Sequence, residues 1–213
     1  MSDRIVAGRL RTQLDTEGLP DISAWENSPI AAFCSDWRNQ NPDPGRETEV
    51  QLLWSPDQLF VRFHCRYRDI FVYEGGNARR DQLWQRDVAE VFIRPPAAEE
   101  IHYKEFEISP NGDWLDLDIE PGKKTVLLCD LRIRVFVDEQ SRIWIAELGI
   151  PMRCLTGSFD PGETWRVNFF RIEGREPERF YSAWRPTYTP RPNFHIPSYF
   201  GRLDFVVGPA EEQ

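Results

Sequence analysis

Apolar and polar side chains alternate residue by residue in short segments broken by turn chemistry, and this feature most narrows what the chain can fold into. In Leu131–Asp138, Leu131, Ile133, Val135 and Val137 fall on one face and Arg132 and Arg134 on the other, because successive side chains of a strand point to opposite sides. Helical periodicity is nearly absent. The same reading predicts strands over Thr48–Trp54, Leu59–Tyr67, Val88–Arg94, Tyr103–Ser109, Trp114–Ile119, Leu131–Asp138, Ile143–Ile150, Thr164–Glu173, Phe180–Trp184 and Leu203–Val207. Ser55-Pro56-Asp57, Ser109-Pro110-Asn111-Gly112, Asp138-Glu139-Gln140-Ser141 and Asp160-Pro161-Gly162 lie where hairpins must turn. The segment around Ile22–Phe33 has room for a short helix. Gly174–Arg179 and Thr187–Pro197 read as irregular loops, the second stiffened by its prolines. The expected fold is all-β: an antiparallel two-sheet sandwich of roughly ten strands, of immunoglobulin or jelly-roll type.

With 213 residues and no repeat, low-complexity stretch or shift in composition, one domain over 1–213 is expected. Such a length buries a core without a metal or disulfide staple. The net charge of −9, with no basic run, argues against nucleic acid as a partner, which needs clustered Lys and Arg. No apolar run is long enough to cross a bilayer, so no membrane partner is expected. The first eight residues have neither the apolar core nor the cleavage pattern of a signal peptide, so a cytoplasmic location is expected unless a leader was removed. Cys34, Cys65, Cys129 and Cys154 include no C-x-x-C pair and sit among apolar neighbours. They are expected to be buried free thiols, with no disulfide among them.

Eight Trp, six Tyr and fourteen Phe exceed what a strand core of this size needs, so some rings should face outward. Trp84 sits in a polar stretch before a strand, and Trp184 ends a short strand before Arg185-Pro186. An indole at a loop mouth can stack on the C–H face of a pyranose; alternatively both rings cover the open end of the sandwich. Asp116 with Asp118, and Glu105 with Glu107, share strand faces at roughly 6.5 to 7 Å along the chain. That spacing suits an acid/base pair, a calcium site or a solvated face. His64, His102 and His195 are scattered, and no H-E-x-x-H, G-x-S-x-G, P-loop or G-x-G-x-x-G motif occurs. Met152 reads as a packed residue at a strand end.

The order of motifs resembles the family 9 carbohydrate-binding modules and related sandwich domains. It is carried by Thr48–Trp54 with Leu59-Phe60-Val61, Leu83–Ile93 with its Trp-x-x-Asp-x-x-Glu-x-Phe spacing, Phe106–Gly112, Trp144–Pro151, Trp165–Phe169, Tyr181–Trp184 and Phe200–Leu203. The resemblance implies a sandwich that binds carbohydrate without catalysis, clamping a terminal sugar between Trp84 and Trp184. Glu90 would be the sugar-bonding carboxylate and Asp87 a residue shaping the same loop, with Glu107 and Asn168 completing the ligand-binding set. No catalytic residue is expected, and calcium is a possible cofactor. Two departures stand out: Glu107 where the sugar-binding modules carry an arginine, and no amide near Phe170. Two alternatives therefore stay open. One is a glycoside hydrolase, or an accessory domain of one, using Asp116, Asp118 or Glu90; the other is an interaction domain that kept the fold and lost the sugar site.

Overall fold

The computed structural model describes residues 3–206. Among these residues, thirteen strands are joined by loops and a few single helical turns. They are β1 (Arg4–Arg9), β2 (Ile30–Phe33), β3 (Thr48–Trp54), β4 (Gln58–Arg66), β5 (Val88–Arg94), β6 (Tyr103–Ile108), β7 (Trp114–Glu120), β8 (Lys123–Val126), β9 (Arg132–Asp138), β10 (Ile143–Pro151), β11 (Trp165–Glu173), β12 (Phe180–Ala183) and β13 (Gly201–Phe205). Each of the ten expected strands is present within two residues of its predicted ends, save that Val207 lies outside the described residues. β1, β2 and β8 were not expected. The Lys123–Val126 strand is exposed along its whole length, so it has no inward face to create an alternation. The Ile22–Phe33 segment divides into a helical turn at Ile22–Trp25 and strand β2.

The ladder runs β8-β7-β6-β5-β11-β13-β1-β3-β4-β10-β9, with β12 added beside β11 and β2 beside β3. It is mixed, not purely antiparallel as expected. β1 lies parallel to β13, with Ile5 opposite Leu203, and parallel to β3, with Gly8 opposite Leu53. A hairpin can join only antiparallel neighbours, whereas β1, distant in sequence from both β3 and β13, is free of that constraint and enters between them. β1 also changes partner along its length, so the ladder turns over there and its two halves face one another as a sandwich. Val91, Phe106, Val167 and Phe169 of one half meet Leu52, Val61, Phe63 and Leu148 of the other. The rings of Phe63 and Phe169 lie 6.3 Å apart. Among the described residues, no helix is long and apolar enough to cross a membrane.

A second apolar layer covers the outer side of β5, β6, β7 and β11. Val88, Phe92, Tyr103, Leu117, Phe170 and Ile172 lie under Leu83, Phe194 and Phe200 from the covering loops. This explains why β5 and β11 are buried on both faces, a pattern more usual for parallel sheets enclosed by helices.

The expectation of four free thiols is overturned. Cys129, ahead of β9, and Cys154, in the turn after β10, form a disulfide with Cα atoms 6.2 Å apart, and Cys34 and Cys65 remain free. Sequence alone could not pair two cysteines 25 residues apart whose neighbours are ordinary apolar residues. The tertiary fold brings the ends of two adjoining strands together. Closing a loop of this length is expected to contribute about 3 kcal/mol through the unfolded chain. Two thiols should therefore titrate in denatured, unreduced protein, and Cys154→Ser should lower the urea midpoint accordingly; a count of four would contradict the bridge.

Candidate functional site

The outer face of β5, β6 and β11 carries a pocket of about 250 Å³, lined by Trp84, Tyr181, Phe194 and Ile172 as apolar walls and by Glu90, Glu105, Lys124 and His195 as polar ones. Each side chain is there for a local reason. The turn Leu83–Gln85 buries Leu83 in the outer apolar layer and leaves Trp84 36% exposed. Its first turn is held by Gln82, whose φ of 58° is in the left-handed region. Hydrogen bonds from the Gln85 backbone N–H to the Gln82 carbonyl (3.0 Å) and from Gln85 Nε2 to Gln82 Oε1 (2.5 Å) stabilise it. The 187–197 loop is irregular, as expected, yet anchored. The Phe194 ring stacks on Phe170 at 4.2 Å, and Trp37 Nε1 donates to the Thr189 carbonyl at 2.8 Å. Phe170 thus occupies the place where an amide was sought, and its ring supports the loop that walls the pocket.

The floor is acidic. Glu90 of β5 lies directly opposite Glu107 of β6, and Glu105 follows on the same face of β6. All three are buried. Glu90 Oε1, Glu105 Oε2 and both Glu107 carboxylate oxygens accept no hydrogen bond from an N–H or hydroxyl of the described residues, although Glu105 and Glu107 are close enough to share a proton. Burial raises all three pKa values above the ordinary glutamate value, and mutual repulsion adds to the shift at Glu90 and Glu107; a charge removed from water next to like charges is disfavoured. Tyr103 Oη and His195 Nδ1 share a hydrogen at 2.6 Å. Burial and the Lys124 ammonium push the His195 pKa down, so its imidazole is neutral at ordinary pH.

The other predicted residues sit elsewhere. Trp184 is 2% exposed and belongs to the core between the two halves, 5.5 Å from the Phe169 ring. The expected clamp is therefore corrected: Trp184 faces away from the pocket and has no open face to offer a sugar. Alternation decides this, since Ala183 joins the outer layer and its neighbour Trp184 joins the inner core. Asp87 is buried, accepting hydrogen bonds from the N–H groups of Phe71 (2.9 Å) and Gly174 (2.7 Å) and so tying two loops to the start of β5. Asn168 spends its amide on the Arg185 backbone and its own strand. Asp116 accepts from Cys129 N at 2.7 Å and Arg79 Nε at 3.3 Å, while Asp118 is held by Lys104 and His102. Neither aspartate lines the pocket. His64 lies 3.5 Å from Glu49, and Met152 is packed in the core.

Among the described residues, His102, Asp118 and Glu120 bring donor atoms within 4.8 Å of one another. A histidine in the set and the Lys104 ammonium 2.6 Å from Asp118 suit calcium poorly, because calcium prefers an all-oxygen shell. Sequence reasoning missed Lys124, Tyr181, Phe194 and His195 as pocket residues. Tyr181 carried the one available signal, an aromatic alternating with Ala183 on the same strand face.

The architecture is that of a β-sandwich with an aromatic-walled, acid-floored pocket on its outer face. The model of carbohydrate-binding family 9 matches residues 132–205, and the resemblance seen in the motifs holds in the fold. A family 9 module from Caldicellulosiruptor kristjanssonii, solved with cellotriose and with glucose, superposes with TM-scores of 0.62 and 0.63 at 16% identity. These matches cover 95% of this chain and 93% and 95% of the module. A candidate carbohydrate-binding protein from Bacteroides uniformis superposes with a TM-score of 0.75, also at 16% identity, over 95% of this chain and 99% of the other. An extracellular protein of Arthroderma benhamiae is 24% identical over 79% of this chain and 82% of its own length.

Proposed function

We propose that this protein binds carbohydrate without cleaving it, taking a sugar ring into the pocket beside Trp84. The observation that carries this reading is the pairing of a half-open indole with a buried, unpartnered carboxyl group, Glu90, in one apolar-walled cavity. A pyranose offers a C–H face for the ring and edge hydroxyls for the acid. Tyr181 and Phe194 take the part first expected of a second tryptophan. The glucose and cellotriose bound by the Caldicellulosiruptor module support the ligand class. The disulfide, together with the extracellular relative, supports a working place in an oxidising compartment rather than the cytoplasm.

The test is a calorimetric panel of mono- and oligosaccharides that includes glucose and cellotriose. Trp84→Ala should weaken the best ligand by roughly 1 to 3 kcal/mol through lost apolar contact, with melting little changed. A folded wild-type protein that binds nothing in the panel would sink the reading. Release of reducing sugar would replace it with a glycoside hydrolase.

A further inference from the structure

We propose that the pocket prefers a sugar bearing a free, protonated amine over a neutral or N-acylated sugar. This rests on the carbohydrate-binding reading and narrows its ligand. The reason is an imbalance between acids and bases at one place. Glu90 and Glu105 line the cavity, and Glu107 stands directly opposite Glu90 across the β5–β6 ladder. Together they present four carboxylate oxygens that no N–H or hydroxyl of the described residues reaches, although Glu105 and Glu107 are close enough to share a proton.

The basic groups that face them act on these acids through their charge without closing a hydrogen-bonded ion pair. Lys124 of β8 lines the pocket, but its Nζ lies 3.4 Å from His195 Nε2 and 5.3 Å from the centre of the Trp84 ring. Among the described residues it makes no carboxylate ion pair within 4.0 Å, yet its charge draws the pKa values of all three acids down against the effect of burial, and His195 Nδ1 lies 3.9 Å from Glu105 Oε2. Arg179 donates to the carbonyls of Trp84 and Arg86. Tyr103 and His195 bond one another, and Tyr181 Oη donates to Glu176 Oε1 at 3.2 Å.

A neutral sugar would bring hydroxyl donors to this floor but no charge. An alkylammonium brings three donors and a positive charge together, and its bonds to carboxylates are about twice as strong as neutral ones. Trp84 and Tyr181 offer faces for the sugar's C–H surface, while Lys124 and Arg179 already stand 5.3 and 5.4 Å from those ring centres, so the gain from the ligand's charge is made at the acids. Acylating the amine removes the charge and two of the donors, so an N-acetyl sugar should lose the advantage. Burial holds all three acids toward their neutral forms, with repulsion adding to it at Glu90 and Glu107, and an entering cation would favour their ionised forms, with release of protons.

The experiment compares fully deacetylated chitotetraose, its N-acetylated counterpart and cellotetraose by calorimetry on the full chain at about pH 6, where the amine is protonated. Chitotetraose should bind at least about tenfold more tightly than either of the others. Glu90→Gln and Glu105→Gln should each shrink that preference while changing cellotetraose binding less, and Trp84→Ala should weaken all ligands. Cellotetraose binding as tightly as the amine, or the N-acetylated sugar doing so, overturns the proposal and leaves the broader reading standing. The net charge of −9 attracts any polycation, so amine binding that survives both Glu90→Gln and Trp84→Ala is general attraction and also overturns it. If none of the three binds, the proposal fails, and the saccharide panel decides the broader reading separately.

Discussion

Trp184→Ala should destabilise the protein by about 3 to 5 kcal/mol, the usual range for emptying a large aromatic site in a core. Trp184 is packed between the two halves of the sandwich against Phe169. Its ring edge fits over Gly201 so closely that an added Cβ would lie 2.6 Å from Cζ3. The surrounding strands β11 and β13 are paired on the same ladder, so they cannot collapse freely into the space left behind. For a domain of this length each kcal/mol corresponds to roughly 2 to 4 °C in melting temperature, making the expected fall large enough to separate the two tryptophans on one instrument. Trp84→Ala removes a ring at a loop mouth and should change stability by about 1 kcal/mol or less. Equal losses for both variants would mean that Trp84 is also core, and the pocket would lose its aromatic wall.

Glu107→Gln should stabilise the folded protein near neutral pH, an uncommon outcome for a buried polar position. In the wild type, Glu107 is buried opposite Glu90 and beside Glu105, with which it can share a proton, and the charge that eases its ionisation is the Lys124 ammonium. Because its pKa is higher in the folded chain than in the unfolded one, the native state holds more protons, and its contribution to stability declines as pH rises. The decline begins near the unfolded glutamate value of about 4.3 and ends at the raised folded value. Glutamine keeps the shape and removes the charge. The gain should be roughly 1 to 3 kcal/mol, on the scale of one unpaired buried polar group. It should be seen as a higher urea midpoint at about pH 7 and vanish below about pH 4, where wild type and variant carry the same charge. A difference that does not vary with pH, or a less stable variant at neutral pH, would show that the carboxylate of Glu107 is satisfied in the folded state.

The all-β class and ten of the strands were legible because alternation is a local property. A strand with one face toward a core must place apolar residues at every second position, and that mark is plain in Leu131–Asp138. The alternation in β6 likewise announced that Glu105 and Glu107 share a face. It left open which face was buried, and most carboxylates at such spacing are solvated. The second apolar layer decides that question here, because loops from far along the chain roof the outer side of β5, β6 and β11 and take all three glutamates out of water.

The same distinction governs the errors. Trp84 and Trp184 look alike in sequence, each an indole beside polar residues, but a one-residue step on a strand exchanges inside for outside. Only the register of β12 against β11, with Ala183 opposite Phe170, puts Trp184 in the core. Cys129 and Cys154 could be paired only by the fold, since a bridge requires two Cβ atoms a few ångströms apart and no local pattern reports that distance. β1 was invisible because a six-residue strand interrupted by glycine carries too few alternations to be read, and its parallel pairing is fixed by β13, which lies nearly the whole chain away. By itself, then, the sequence determined which segments extend and which residues share a face, since both follow from neighbours in the chain. The tertiary structure alone decided which face meets water, which cysteines meet each other and which aromatics wall the pocket, since each depends on residues distant in sequence being brought together.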